Sequence, residues 1–372
     1  MIIETSDTID VLICDDSALM RNLISKIVDA APGIKTCGTA MNGKFLVNKI
    51  PLLKPDIIVL DIEMPEMNGV EFLKWRKENN IDIPVIMLSS IAKAGSAITM
   101  QCLELGAVDF VTKPGSADTS DLTTVSKRLT ELLFSYGKLY AEKKGKRIAS
   151  QDSYLKAMKV HYETEVLPAE KTDVKPIREH GKIEVVAIGI STGGPNALRE
   201  VFPKLSPDIK KPILVVQHMP KGFTKEFADS LNKICPLEVK EAQEGDLLKP
   251  GRILIAPGDY HITVEKMPLA SICHINQEPP CNGHRPSADI LFKSVASVYE
   301  NKCLGIIMTG MGRDGAKELC EIRKQGGWTL GQDEKSCIVY GMPKVAFQLG
   351  AVEKQVALEN MADEINRLCL SN

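Results

Sequence analysis

The sequence predicts an α/β protein made of two doubly wound parallel sheets joined by a linker. Three observations lead there. Short β-branched runs alternate with amphipathic helical patterns over residues 10–134. The alternation stops over residues 135–181, where the chain turns polar and no strand pattern survives. It then resumes and continues to the end of the 372 residues. The expected divisions are a first domain at 10–134, a linker at 135–181 and a second domain at 182–372.

In the first domain DVLIC (10–14), DIIVL (56–60) and PVIMLS (84–89) are near-continuous apolar runs, the mark of parallel strands buried on both faces. SALMRNLISKIVDA and NGVEFLKWRKEN between them have helical periodicity. AVDFVT supplies a further strand. The linker is expected to begin as a helix leaving the first domain and to become flexible. Its basic cluster, Lys138, Lys143, Lys144, Lys146 and Arg147, reads as a solvated face. In the second domain IEVVAIG, PILVVQH, RILIAP and CLGIIMTG are the strands, and NALREVFPKL, KEFADSLNKI, SADILFKSVASVYE and AKELCEIRKQG the helices. HITVEK and ASICHIN form an expected hairpin, and a last amphipathic helix covers about 361–370.

The balance of 44% apolar and 25% charged residues is that of a soluble globular chain. A formal net charge of -2 gives no bulk attraction to nucleic acid or to an anionic membrane, and neither is expected as a partner. No apolar run approaches the roughly 20 residues of a membrane helix. No secretory leader is visible, and none of the ten cysteines sits in a C-x-x-C pair, so reduced thiols in a cytoplasmic protein are expected.

Chemistry in a parallel sheet gathers at the carboxyl ends of its strands. There the first domain places Asp15 and Asp16 after DVLIC, Asp61 after DIIVL, Ser89 at the end of PVIMLS and Lys113 after AVDFVT. Each aspartate alone also reads as a turn residue or helix cap. Together, three converging carboxylates repel one another unless a hard cation such as Mg2+ binds among them. Such a cation would also neutralise a phosphoryl group arriving on one carboxylate, whose oxygens the serine and lysine suit.

The blocks VLICDDSALMR, VLDIEMPEMNG, VIMLSS and DFVTKP resemble the receiver domain of two-component signalling, a flavodoxin-like fold. The resemblance implies phosphorylation of Asp61 by a histidine kinase. It implies Mg2+ on Asp16, Asp61 and the backbone carbonyl of Glu63, with Asp15 contacting the ion directly or through water. Ser89 would be the switch hydroxyl, Lys113 the phosphate-contacting lysine and Phe110 the aromatic switch position.

In the second domain VVAIGISTGGPNAL admits two readings. As a dinucleotide cradle it lacks the middle glycine, replaced by Ser191, and no acidic residue closes PILVVQH. As a nucleophile turn, Gly189 to Gly193 fit G-x-S-x-G between strand and helix, with Ser191 exposed at the sheet's edge. His218 ends the next strand and Asp314 lies in the loop after CLGIIMTG, so a serine, a histidine and an aspartate each follow a strand of one sheet. Of the other histidines, His161 and His180 fall in the linker and His261 and His274 in the hairpin. His284, heading a helix, is the one rival to His218.

AIGISTGGPNAL, VVQHMPKGFT, ILIAPGDYH, HRPSADILFKSVA, TGMGRDGA and GMPKVAF resemble the catalytic domain of the chemotaxis protein-glutamate methylesterases. The resemblance implies a nucleophile at Ser191, a general base at His218 and its orienter at Asp314, with Thr192 and Met311 at the active site and oxyanion hole. Arg313 stands where asparagine is frequent in that family. The implied reaction is demethylation of γ-glutamyl methyl esters on methyl-accepting chemotaxis receptors, with deamidation of receptor glutamines at the same site. No cofactor is expected for the esterase step. The receiver would block the catalytic edge until phosphorylated. The competing expectation is a non-enzymatic response regulator whose output domain binds a protein partner.

Overall fold

The structure, a computed structural model, describes residues 7–90, 93–113, 119–158 and 174–371. The chain divides into two compact units, Met1–Glu163 and Thr164–Asn372.

The first unit runs β1 (Ile9–Cys14), α1 (Ala18–Asp29), β2 (Ile34–Ala40), α2 (Gly43–Leu53), β3 (Ile57–Asp61), α3 (Gly69–Glu78), β4 (Val85–Ser89), α4 (Lys93–Glu104), β5 (Asp109–Thr112), α5 (Thr119–Lys143) and α6 (Gln151–Ala157). Its sheet has the order β2-β1-β3-β4-β5, with every pair parallel. All residues of β3 and β4 are buried, which is why those runs are so apolar. Helix starts are fixed by side chains: Ser17 caps α1, Asn42 caps α2, and Asn68 with Glu71 closes a capping box on α3. The edge strand β2 was not anticipated. Only its ends, Ile34 and Ala40, are buried, so its sequence IKTCGTA carries little strand signal.

The basic cluster is not simply a solvated face. α5 continues past residue 134 to Lys143, and the chain beyond it returns to the sheet. Lys144 Nζ lies 2.7 Å from Asp56 Oδ1, and Lys146 Nζ lies 2.5 Å from Asp56 Oδ2 and 2.6 Å from Asp10 Oδ2. Asp56 is fully buried, and a buried carboxylate needs paired donors. Its pKa is held below the usual value because the Asp10 N–H and the two lysines outweigh the opposing effect of burial. Tyr154 of α6 stacks on Phe134, with ring centroids 3.9 Å apart. His161 lies outside the described residues.

The second unit runs β6 (Val185–Ile190), α7 (Gly194–Val201), a 3-10 turn (Phe202–Lys204), β7 (Ile213–Gln217), α8 (Thr224–Asn232), β8 (Glu238–Glu241), β9 (Arg252–Ile255), β10 (His261–Lys266), β11 (Ser271–Asn276), α9 (Ala288–Tyr299), β12 (Cys303–Ile307), α10 (Ala316–Lys324), β13 (Trp328–Gln332), α11 (Met342–Gln348), β14 (Lys354–Val356) and α12 (Leu358–Ser371). The sheet order is β14-β13-β12-β6-β7-β9-β8, parallel throughout. β10 and β11 form the expected antiparallel hairpin, paired from His261–Asn276 to Lys266–Ser271. β6 is central. The chain leaves it for β7 on one side and returns as β12 on the other, so a crevice opens at the carboxyl end of β6. One core lies between this sheet and α9 and α10, built on Leu291, Phe292, Val295, Leu319 and Ile322.

His180, expected in the linker, belongs to this unit. It stacks on Trp328 at 3.8 Å between ring centroids, and its Nδ1 is 2.9 Å from Gly326 O. All ten cysteines are unpaired thiols. Among the described residues no helix is long and apolar enough to cross a membrane.

Candidate functional site

Two sites lie at sheet edges, one in each unit. In the first, Asp61 is the last residue of β3, and Asp15 and Asp16 follow β1. Arg21 Nη1 donates to the carbonyls of Asp15 (2.7 Å) and Asp16 (3.0 Å), which shapes the loop carrying both carboxylates. The acidic oxygens of Asp15, Asp16 and Asp61 come within 4.8 Å of one another. Lys113 Nζ lies 2.7 Å from Asp61 Oδ1 and 3.0 Å from Asp15 Oδ2. Asp61 Oδ1 also accepts the Ile62 N–H at 2.8 Å, but Asp61 Oδ2 is buried without a hydrogen-bond partner among the described residues.

One ammonium against three carboxylates leaves an excess of negative charge. Burial, with Asp15 adding to it against Lys113, pushes the Asp61 carboxyl up to about 6. Hard oxygen donors, one of them buried and unpartnered, fit a small divalent cation. Asp16 and Glu63 line the same groove, with Met64, Asn68 and Gln101. Ser89 is buried, and its Oγ donates to Ser90 O at 3.1 Å and lies 2.6 Å from Thr99 Oγ1 of α4, so its hydroxyl is engaged between them. Phe110 is buried in β5 opposite Met87.

A stability prediction arises here. Because folding raises the pKa of Asp61, its carboxylate costs stability increasingly as pH rises from about 4 to about 6, and in full at neutral pH. Asp61→Asn is therefore expected to stabilise the protein by about 1–3 kcal/mol in EDTA at pH 7.5, measured by denaturant unfolding of the first unit's transition. A variant less stable than wild type under those conditions would refute the repulsion argument.

In the second unit Ser191 follows β6 and His218 follows β7. Ile190 and Gln217 pair in register and the His218 N–H donates to Ile190 O at 3.1 Å, so the two candidate residues are neighbours across adjoining strands. The Ser191 N–H donates to Thr309 O, and its carbonyl accepts from Gly194 N (2.8 Å) and Gln217 Nε2 (3.1 Å). The backbone of the turn is thus held on both sides. Gly193 has φ of +82°, and a methyl group there would lie 2.9 Å from the Ile338 side chain. Gly189 admits α9: a methyl group there would meet Ala288 Cβ at 2.7 Å. Both glycines of G-x-S-x-G therefore have structural reasons. The Ser191 hydroxyl makes no hydrogen bond to the described residues, as is common before substrate binds.

Asp314, after β12, is 1% exposed and sits against the N-terminus of α9. Its Oδ1 accepts from Ser287 Oγ at 2.5 Å, Asn282 Nδ2 at 3.0 Å and Asp289 N at 3.4 Å. Its Oδ2 accepts from Ala288 N at 2.6 Å and meets His218 Nε2 at 2.8 Å. Burial alone would raise its pKa, but the His218 partner and the Ser287 and Asn282 donors hold it far below the usual carboxylate range. An acceptor-only carboxylate keeps the proton of His218 on Nε2. Its Nδ1, buried and without a hydrogen-bond partner among the described residues, is then the nitrogen free to accept, on a residue adjoining Ser191. The ring is reversed relative to the chymotrypsin arrangement, where Nδ1 faces the carboxylate.

Thr192 is fully buried, with its carbonyl accepting from Thr309 Oγ1 at 3.0 Å. Gly310 packs against Ser191, since a methyl group on it would stand 2.7 Å from Ser191 Cβ. Met311 follows directly, and its N–H has no backbone partner among the described residues. Cys281, Asp289 and Asp314 also converge within 4.8 Å. Every oxygen of the two carboxylates there already accepts from an N–H or O–H donor, so this set reads as a hydrogen-bonded network. His284 stacks on His218, with ring centroids 3.9 Å apart and planes 12° from parallel. Gln217, Asn282 and Ser287 were not anticipated from sequence, though the dipeptide Asn282-Gly283 is a recognisable turn signal.

The chain matches two family models: CheB methylesterase over residues 186–365 and response regulator receiver domain over residues 11–124. It is 56% identical over 365 residues to the protein-glutamate methylesterase/protein-glutamine glutaminase of Treponema denticola, covering 97% of this chain and 98% of the relative. It is 49% identical over 394 residues to the protein of the same name from Treponema pallidum, covering 98% of each. Among solved structures it is similar to the CheB methylesterase catalytic domain of Thermotoga maritima, at 35% identity and a TM-score of 0.49 over 50% of this chain and 100% of that one.

Proposed function

We infer the function from one premise: this chain belongs to the CheB methylesterase family and carries a response-regulator receiver domain ahead of its catalytic domain. It is a phosphorylation-regulated hydrolase that removes methyl groups from γ-glutamyl esters of chemoreceptors and deamidates their glutamines. Ser191 is the nucleophile, His218 the base and Asp314 its orienter. The observation that carries this assignment is the His218–Asp314 pair at 2.8 Å, with His218 Nδ1 left unpartnered on the residue adjoining Ser191.

The steps follow from those atoms. Asp314 keeps Nε2 protonated, so Nδ1 accepts the Ser191 proton as Oγ attacks the ester carbonyl. Backbone N–H groups near Ser191 and Met311 are the donors this reading assigns to the developing oxyanion, an interaction whose loss costs about 3–4 kcal/mol of barrier. His218 returns the proton to departing methanol. It then takes one from water, whose hydroxyl attacks the acyl-enzyme, and gives that proton to the departing Ser191 Oγ, releasing glutamate. With a glutamine side chain the leaving group is ammonia, and the other steps are unchanged.

In the receiver, Asp61 is the phosphoacceptor for a histidine kinase. Asp16, Asp61 and the backbone oxygen of Glu63, with Asp15 directly or through water, would hold Mg2+, which when bound would neutralise charge on the arriving phosphoryl group. Lys113 meets the phosphoryl oxygens, and Ser89 becomes their hydroxyl partner on leaving Thr99. The protein works in the cytoplasm, where its unpaired cysteines stay reduced. The divisions at 10–134, 135–181 and 182–372 serve as regulator, connector and catalyst, with both ends of the connector lying against the units they adjoin. A non-enzymatic output domain would leave the Asp314 cradle without a use.

The test is methanol release from methylated receptor membranes with and without Mg2+ and acetyl phosphate. The expected stimulation is about 30- to 150-fold, the range of a 2–3 kcal/mol coupling. Asp61→Asn is expected to abolish it. Equal stimulation of Asp61→Asn would overturn the phosphoacceptor assignment.

A further inference from the structure

The general base and its carboxylate are both touched by one small turn that the mechanism above does not use. Residues Cys281 to His284 close on themselves: Cys281 N donates to His284 O at 3.1 Å and His284 N to Cys281 O at 2.9 Å. The two residues between have φ of +52° (Asn282) and +76° (Gly283). Positive φ at both central positions defines a type I′ turn, for which Asn-Gly is the favoured pair. The turn is therefore locally specified and stiff.

Its two functional side chains reach the catalytic pair separately. Asn282 Nδ2 donates to Asp314 Oδ1 at 3.0 Å and to Asp289 Oδ2 at 2.6 Å, which ties the catalytic carboxylate to α9. His284 lays its ring on the ring of His218. The hydrogen bond to Asp314 fixes only one point of the His218 ring, Nε2. Rotation about the line from Cβ to Nε2 would still swing Nδ1 out of the serine's path. A flat ring 3.9 Å away and within 12° of parallel removes that freedom.

We propose that the turn Cys281–His284 is a clamp on the catalytic pair, in which His284 is a positioning residue for the His218 ring and Asn282 for the Asp314 carboxylate. The inference rests on the reading of Ser191, His218 and Asp314 as the catalytic set. The clamp acts on the chemical step: it sets the aim of Nδ1, and misplacement by about 1 Å can cost a hundredfold in rate. The part of His284 that matters is its plane, not its ring nitrogens.

The full-length protein, stimulated by acetyl phosphate and Mg2+, tests this with methanol release from methylated receptor membranes. His284→Ala is expected to lower kcat about 10- to 100-fold with KM within about threefold of wild type. His284→Phe, which restores a flat ring without a nitrogen, is expected to return kcat to within about threefold of wild type. Asn282→Gly keeps the positive φ and deletes the amide, and is expected to lower kcat about tenfold at unchanged KM. Thermal unfolding identifies any variant that fails to fold, and the Phe variant keeps the clamp testable if the Ala variant is one. The clamp is refuted if folded His284→Ala keeps near-wild-type kcat, if its defect lies in KM alone, or if folded His284→Phe is as slow as a folded His284→Ala or more than tenfold slower than wild type. Ser191→Ala run alongside separates the two readings. Its inactivity beside an unimpaired His284→Ala sinks only the clamp, whereas its retained activity sinks the catalytic set on which the clamp depends.

Discussion

Ser191→Ala is expected to lower methanol release from methylated receptor membranes by about ten-thousand- to million-fold, the range seen when a hydrolytic triad loses its nucleophile. The loss should fall on kcat, because the backbone around the turn does not depend on the hydroxyl. Ser191 is held through its N–H to Thr309 and its carbonyl to Gly194 and Gln217, none of which alanine disturbs. Since the Oγ makes no hydrogen bond to the described residues, stability should change by less than about 1 kcal/mol. The folded variant should therefore still saturate with receptor at an ordinary concentration and simply not turn over. His218→Ala should be nearly as inactive, and the double variant no worse than either single one, because the two residues act as one unit. Retention by Ser191→Ala of a tenth or more of wild-type kcat would mean that the hydrolytic oxygen comes from elsewhere.

The parts of the fold legible in the sequence are those in which burial alone dictates residue type. β3, β4, β6 and β7 are buried along their whole lengths, so their apolar runs announce them. β2 and β14 are edge strands, half-polar or only three residues long, and their existence depends on a neighbour that the local sequence does not reveal. The same division holds at the sites. Residues that end or directly follow a buried strand, such as Asp61, Ser191 and His218, inherit their position from the sheet and could be named by topology. Those that act by reaching across sequence were hidden. Lys146 pairs with Asp10 and Asp56 from a stretch whose composition suggests only solvation, because ion pairing depends on where a buried carboxylate lies. His284 was weighed as a rival to His218, whereas the structure stacks one upon the other. Ser287 and Asn282 carry no catalytic signature, and only the position of Asp314 at the start of α9 gives them a role.

Asp314→Asn is expected to reduce kcat about a thousand- to ten-thousand-fold while leaving KM near wild type, through the tautomer of His218. Three donors converge on Oδ1, from Ser287, Asn282 and Asp289, against a single backbone donor and the imidazole on Oδ2. The amide oxygen of asparagine will take the site with three donors, which places its NH2 beside His218 Nε2. That nitrogen must then accept, and the imidazole proton moves to Nδ1, the atom proposed to receive the proton of Ser191. The base is present but wrongly protonated. In the wild type Asp314 cannot itself shape the rate profile near neutrality. Its pKa is depressed on folding, so its contribution to stability is complete above the ordinary carboxylate range and is lost only as pH falls through the folded value, far below any pH at which the enzyme works. Raising the pH should therefore not rescue the asparagine variant, because its defect is the placement of a proton on His218 rather than the ionisation of a carboxyl. The decisive measurements are kcat between pH 6 and 9 and the 15N shifts of the imidazole. A protonated Nδ1 and a flat, low profile are expected. A variant within tenfold of wild type, or one whose ring proton stays on Nε2, would show that Asp314 orients nothing the reaction needs.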